Sequence, residues 1–264
     1  MVSDRLARTP RDDRPRGDRN RSLERGIEIL RAFKPGADLL GNGELAERTG
    51  LSRATVSRLA QTLVDSGMLE HDRRRRAYRL AAPVLSLAHA MRSGSPILQI
   101  AGPLMRSEAE KRKINVGLAV ADREEMVYLE SVRYSRRVAW RNVVAGQRVP
   151  MELTSLGRAW LSTAAEDTVR GLMTQFRERR RPAWRELSRE ITAAIDSVRR
   201  NGYCWASWQP QVVALATPLV VVDHPVYVLN MSITGDAEPE EVVGRLSAPL
   251  LRLGQRMHEA ISHL

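Results

Sequence analysis

The chain has 264 residues, 43% of them hydrophobic, with a single cysteine and a formal charge of +11. That length exceeds one small domain and points to two. The lone thiol, Cys204, excludes an intrachain disulfide and a four-cysteine zinc site. The N-terminus is rich in Arg and Asp, and no apolar run of about 18 residues occurs, so the sequence offers neither a secretory leader nor a membrane span. The expectation is a soluble, cytoplasmic protein without a membrane partner. The basic excess is uneven: residues 1–95 hold 19 Arg/Lys against 12 Asp/Glu, whereas the rest hold 23 against 19. A local surplus of this kind suits a polyanion, because each phosphate neutralised by Arg or Lys releases condensed counterions.

Residues 1–21 contain seven Arg and four Asp and almost nothing apolar, which predicts a disordered basic tail. From Ser22, a plausible N-cap, Leu23, Ile27, Leu30 and Phe33 recur at helical spacing. Pro35-Gly36 ends this helix and Asn42-Gly43 makes a second break. A short helix follows over Glu44–Thr49, stopped by Gly50. Ser52 caps a third helix whose stripe of Val56, Leu59, Ala60 and Leu63 faces inward. Met68–His71 and Ala77–Leu80 read as strands around a turn at Asp72–Arg76. Pro83–Arg92 reads as a connecting helix, and Ser93-Gly94-Ser95-Pro96 marks a boundary.

The second half begins with a helix, Ile97–Lys113, and a hairpin of Asn115–Val120 and Met126–Ser131 around Asp122–Glu125. A strand is expected over Val138–Val144, then helices over Thr154–Ala164, Asp167–Arg177 and Trp184–Arg200, the last closed by Gly202. Strands over Tyr203–Ser207, Val212–Leu219 and Val226–Thr234 precede a final helix from Pro239. Helices interleaved with a mostly antiparallel sheet make this half α+β.

The most specific signal is the run from Glu44 to Leu59. Gly50 supplies the backbone freedom to turn one helix into the next, and Ala46 is small enough for the two to cross closely. Ser52, Arg53, Thr55, Ser57 and Arg58 then lie near the start of the third helix, where side chains reach base edges in a major groove. Arg53 and Arg58 are the candidates for guanine or phosphate, with the three hydroxyls as secondary donors. The tip of the following hairpin is Arg73-Arg74-Arg75-Arg76, placed where a wing lies along a minor groove or backbone. Four adjacent arginines repel one another unless a polyanion is near. The organisation is therefore a winged helix-turn-helix over 22–81, a linker helix over 82–96 and a larger domain over 97–264.

The region from Ser22 onward resembles the IclR family of bacterial transcription regulators. The resemblance is carried by Ser22–Leu30, Gly67-Met68-Leu69 with Tyr78-Arg79-Leu80, Val127–Glu130, Gly146–Met151, Thr154–Ala159, Ala216–Leu219 and Leu229–Ser232. It implies a GAF-like fold for the second domain, with an effector pocket between a curved sheet and the helix beginning near Thr154. Carried over position by position, the resemblance nominates the free backbone N–H groups of Ser155, Leu156 and Gly157 at that helix start, a ready site for an anion, with Ala214, Asn230 and Ser232 on two strands. It also implies a small organic effector, a carboxylic or aromatic acid, and a homodimer or dimer of dimers on a pseudo-palindromic double-stranded operator. The chain departs from the family where many members carry an acidic run. It reads Trp205-Ala206-Ser207-Trp208-Gln209-Pro210-Gln211 there, and has Ala214 at a position often held by cysteine. Trp205 or Trp208 lining a less polar pocket is one expectation, and plain packing is the other.

No cofactor, metal site or catalytic residue is expected. The five histidines, His71, His89, His224, His258 and His263, form no ligand cluster, Cys204 has no neighbouring base, and no phosphate-binding glycine loop occurs. Two other classes remain open: a constitutive DNA-binding protein whose second domain only oligomerises, and an enzyme with a DNA-binding appendage.

Overall fold

The computed structural model describes residues 20–134 and 144–262. The chain divides into two compact units between Gly94 and Ser95. The first opens with α1, Arg21–Arg31, whose cap is Asn20 rather than Ser22: the Asn20 side chain accepts from the backbone N–H groups of Ser22 and Leu23. Residues 1–19 of the expected tail lie outside the described residues. A two-residue strand β1, Leu40–Gly41, leads into α2, Asn42–Thr49. Asn42-Gly43 is thus the first turn of a helix and not a break. Glu44 explains it, because its carboxylate accepts the Gly41 N–H at 2.8 Å and closes the helix start. Gly50 takes φ +68° and turns the chain into α3, Arg53–Asp65, where the Ser52 hydroxyl accepts the Thr55 N–H. Ile29, Leu45, Val56, Leu59, Ala60 and Leu69 form the shared core of the three helices and the wing.

The wing strands are β2, Leu69–Asp72, and β3, Ala77–Leu80, with β1 added on the other side of β3. Leu69 pairs with Leu80 and Asp72 with Ala77. The last element of this unit is α4, Ala82–Ser93, which has no buried residue; Leu85, Leu87 and Met91 are 74%, 60% and 53% exposed.

The second unit is built on a six-stranded antiparallel sheet ordered β6-β5-β4-β9-β8-β7. Its strands are β4, Asn115–Asp122; β5, Glu125–Val132; β6, Arg148–Pro150; β7, Cys204–Gln209; β8, Val212–Leu219; and β9, Tyr227–Thr234. Most of the expected strand over 138–144 lies outside the described residues, and Val144 is not in a strand. The short β6 was not expected; its Arg148 forms ion pairs with Asp122 and Glu125 at the β4–β5 hairpin.

Two cores sit on the two faces of this sheet. On one, α5 (Pro96–Arg112) and α9 (Pro239–Ile261) cover Val116, Leu118, Leu215, Leu229 and Met231. On the other, α6 (Ser155–Leu161), α7 (Glu166–Arg179) and α8 (Trp184–Asn201) pack with Ala119, Met126, Tyr128, Ala216 and Val228. Alternation along each strand therefore fixes which residues meet α6. One interruption matters: Leu118 pairs with Glu130 but Ala119 with Tyr128, so Leu129 is an extra residue in β5. This bulge lets Tyr128 and Ser131, three residues apart, share the α6 face.

The link into α6 is held by Glu152, a fully buried carboxylate. Its Oε1 accepts from Arg180 Nε at 3.0 Å, and its carbonyl accepts from Arg158 Nε at 3.1 Å. Arg158 in turn reaches Glu190 of α8 at 2.6 Å.

Candidate functional site

On α3, burial of Val56, Leu59 and Ala60 forces the opposite side outward. Ser52, Arg53, Ser57 and Arg58 are exposed and Thr55 is half-buried. The Ser52 and Thr55 hydroxyls lie 2.9 Å apart and serve the cap, which leaves Arg53, Ser57 and Arg58 as the groups free to reach a groove. The Arg53 guanidinium rests beside Gly43 at the start of α2.

The wing tip is ordered from within. The Asp72 carboxylate accepts the Arg75 N–H at 3.0 Å and pairs with Arg79 at 3.0 Å. Chiefly that Arg75 bond holds the Asp72 carboxyl below the usual carboxylate range, so the clamp persists through neutral pH and fails only in acid. Arg76 takes φ +50°, closing the turn. Arg73, Arg74, Arg75 and Arg76 are all exposed, and none of the ion pairs among the described residues engages them. Asp72 thus pairs with Arg79 and shapes the loop, while the four tip guanidiniums stay outside the ion pairs.

In the second unit, Ala214 pairs with Ser232 and Ala216 with Asn230, which places Ala214, Asn230 and Ser232 together on the α6 face. Ser155 is buried over the same face, and its carbonyl accepts a hydrogen bond from the Cys204 thiol at 3.4 Å. Leu156 is core, packed in the cluster under α6. Gly157 departs from the expectation of a free amide: its N–H is taken by the Thr154 hydroxyl at 3.2 Å. The absent side chain serves packing, since a Cβ there would lie 2.2 Å from the Met151 carbonyl oxygen.

The two tryptophans separate. Trp208 packs on the α6 side. Trp205 pairs with Leu215, a residue of the α5/α9 core, so it lies on the opposite face and is 40% exposed. Trp205 therefore does not join Asn230 and Ser232.

Sequence reasoning missed three residues of this face. Gly117 lies between Asn230 and Ser131 in register, and a Cβ on it would fall 2.4 Å from Asn230 Oδ1 and 2.5 Å from Tyr128 Cε1. Tyr128 is buried, and burial pushes its phenol up to about 12 against the opposing pull of an Asn230 hydrogen bond and the Arg133 charge. Asn230 Oδ1 and Arg133 Nε are both buried without a hydrogen-bond partner. A tyrosine amid the apolar residues of a strand was the only available signal, because their meeting depends on the bulge and on strand order.

Cys204 is inert by the same logic, burial raising its thiol to about 12. Alkylation of the folded protein by iodoacetamide at pH 8 is expected to run at least about 10³-fold slower than in urea. Equal rates in the two states would overturn the burial assigned to it. No group of three or more His, Cys, Asp or Glu suited to a metal occurs among the described residues, and no described helix is long and apolar enough to cross a membrane.

Comparison with known proteins bears on both units. The IclR helix-turn-helix domain profile matches residues 22–73, and the bacterial transcriptional regulator IclR C-terminal profile matches residues 89–241, more than half of the chain. The chain belongs to the IclR family. An IclR family transcriptional regulator from Brucella abortus is 34% identical, with a TM-score of 0.82 over 91% of this chain and 92% of that one. Among curated relatives of this IclR-family protein, the HTH-type transcriptional regulator TsaQ1/TsaQ2 of Comamonas testosteroni is 36% identical over 69% of this chain. That match spans 66% of the relative, just under two thirds of its length. An IclR homolog from Microbacterium hydrocarbonoxydans, solved in complex with 4-hydroxybenzoate, is 18% identical with a TM-score of 0.68 over 92% of this chain and 100% of that one, a likeness of fold alone. The two units are accordingly the family's winged helix-turn-helix and its GAF-like effector domain.

Proposed function

We propose that this IclR-family protein is a DNA-binding transcription regulator whose operator affinity is set by a small organic acid bound on the α6 face of its second unit. The observation that carries the DNA reading is the set of exposed cations on α3 and on the wing tip that enter none of the ion pairs among the described residues. A recognition helix with Arg53, Ser57 and Arg58 outward supplies base contacts, and Arg73–Arg76 supplies phosphate contacts. The exposed apolar side of α4, with Leu85, Leu87 and Met91, suits a second copy of the chain, and a dimer presents two recognition helices to a pseudo-palindromic site. The effector reading is supported by the family's C-terminal domain and by the buried, unmatched Asn230 Oδ1 on the sheet. The homolog complex with 4-hydroxybenzoate sets aromatic acids first among the candidates. Coupling between effector and operator is expected to be about 1–3 kcal/mol.

Mobility-shift titration of the full chain on DNA flanking its own coding region tests this. Specific binding is expected, with an affinity that falls steeply with salt. Replacing Arg73–Arg76 together by alanine is expected to make the slope of log affinity against log salt shallower by up to about 3.6, at roughly 0.9 for each phosphate no longer neutralised. An unchanged slope would remove the wing from the interface, and no sequence preference in the parent chain would sink the regulator reading.

A further inference from the structure

The α6 face of the sheet carries an unfilled hydrogen-bonding set of which the resemblance nominates only Ala214, Asn230 and Ser232. Ser131, Gly117, Asn230 and Ala216 form one cross-strand row, and Asn115, Ser232 and Ala214 form the next. These are small or short side chains, in contrast to Met126, Tyr128 and Val228 beside them in the packed core. Asn230 is only 5% exposed, yet its Oδ1 has no partner. Its amide is hydrogen-bonded on the other side to the Tyr128 phenol. Swapping the amide's oxygen and nitrogen would leave one of its atoms unmatched either way. Arg133 lies one residue beyond the end of β5 and two after Ser131. Its charge acts on Tyr128, and its Nε–H is buried without an acceptor. Leaving a buried donor and a buried acceptor unmatched is costly, and the cost is greatest for a group on a cation.

A buried Nε–H on a guanidinium asks for an anionic oxygen, and a buried amide oxygen asks for an O–H or N–H. We propose that Arg133, next to the Asn230 that the resemblance nominates, is a further specificity-determining residue of the effector site, and that the two read an organic anion that also carries a hydroxyl or N–H donor. Gly117 is the clearance that lets Tyr128 and Asn230 approach each other. The assignment rests on the effector reading above but differs from the anion site expected at the start of α6, where the Gly157 N–H is already committed to Thr154.

Two matched sets of probes test it in thermal-shift and calorimetric titrations of the full chain: 4-hydroxybenzoate, benzoate and methyl 4-hydroxybenzoate, and lactate, propionate and methyl lactate. In at least one set the hydroxy acid is expected to raise the melting temperature most, with the ester and the dehydroxylated acid each about 10- to 150-fold weaker. Arg133→Met is expected to erase the preference for acid over ester while leaving the ligand-free melting temperature unchanged or higher, because a buried unmatched donor is removed. Asn230→Leu is expected to erase the preference for the hydroxyl. If a hydroxy acid binds and both variants keep wild-type selectivity, the assignment of these residues is wrong and effector sensing stands. If no probe of either set binds the parent chain or shifts its operator affinity, the effector reading fails and takes the assignment with it. A fall in ligand-free melting temperature with selectivity intact would make Arg133 a structural residue.

Discussion

Gly157→Ala is expected to lower the melting temperature of the second unit by about 6–12 °C. The added Cβ would lie 2.2 Å from the Met151 carbonyl oxygen and 2.3 Å from its Cα. Both are backbone atoms, so no side chain can swing aside. Met151 is itself fixed: its side chain is fully buried and its N–H donates to the Glu124 carbonyl. Relief therefore requires α6 to lift from β8 and β9, disturbing the buried Leu156, Ala159 and Leu161. Overpacking against a rigid wall costs about 3 kcal/mol, and a unit of this size loses roughly 2–4 °C per kcal/mol. Gly171→Ala is the internal control, because the site is exposed within α7 with open space around it. Alanine there is expected to add about 0.5–1 kcal/mol by improving helix propensity. Calorimetry of the two variants checks the pair; a Gly157→Ala transition within about 2 °C of the parent would mean that α6 does not pack on Met151 as described.

The double variant Arg53→Ala/Arg58→Ala is expected to lose specific operator affinity by at least about 30-fold, and by up to roughly 10⁴-fold if both arginines make bidentate contacts at about 1–3 kcal/mol each. The folded state should not notice. Both side chains are exposed and enter none of the ion pairs found among the described residues, while the α3 core of Val56, Leu59 and Ala60 is untouched. Melting temperature is therefore the control, and non-specific affinity at low salt should fall far less than specific affinity, because the wing arginines remain. Full retention of specific binding with an unchanged melting temperature would show that another surface reads the bases.

Features whose cause is local were legible in the chain. Gly50, Ser52 and the apolar stripe of α3 act within a few residues of themselves, so their chemistry announces the helix-turn-helix, and the wing with its arginine tip follows from strand periodicity and turn residues. The departures have a physical cause of the opposite kind. Asn20 and Ser22 are both good caps, and only the path of the backbone selects the first. Asn42-Gly43 reads as a turn until Glu44 reaches back to the Gly41 N–H and makes it a helix start. β1 is two residues long, too short to show a period, and exists because β3 offers it an edge.

The charge surplus of the first third, the helix-turn-helix and the α+β character of the second half were written in the sequence, because they follow from composition and from periods of two and 3.6 residues. The resemblance supplied the idea of a sensing domain and the strand positions Ala214, Asn230 and Ser232. What only the tertiary structure decided is which residues look at one another. Register with Leu215 sends Trp205 to the far face, the extra residue at Leu129 brings Tyr128 round to Asn230, and the missing side chain of Gly117 makes room for both. A one-residue shift in pairing exchanges the two faces of a strand. Contacts between distant strands are set by that pairing and by what packs on each face, neither of which any short stretch of sequence contains.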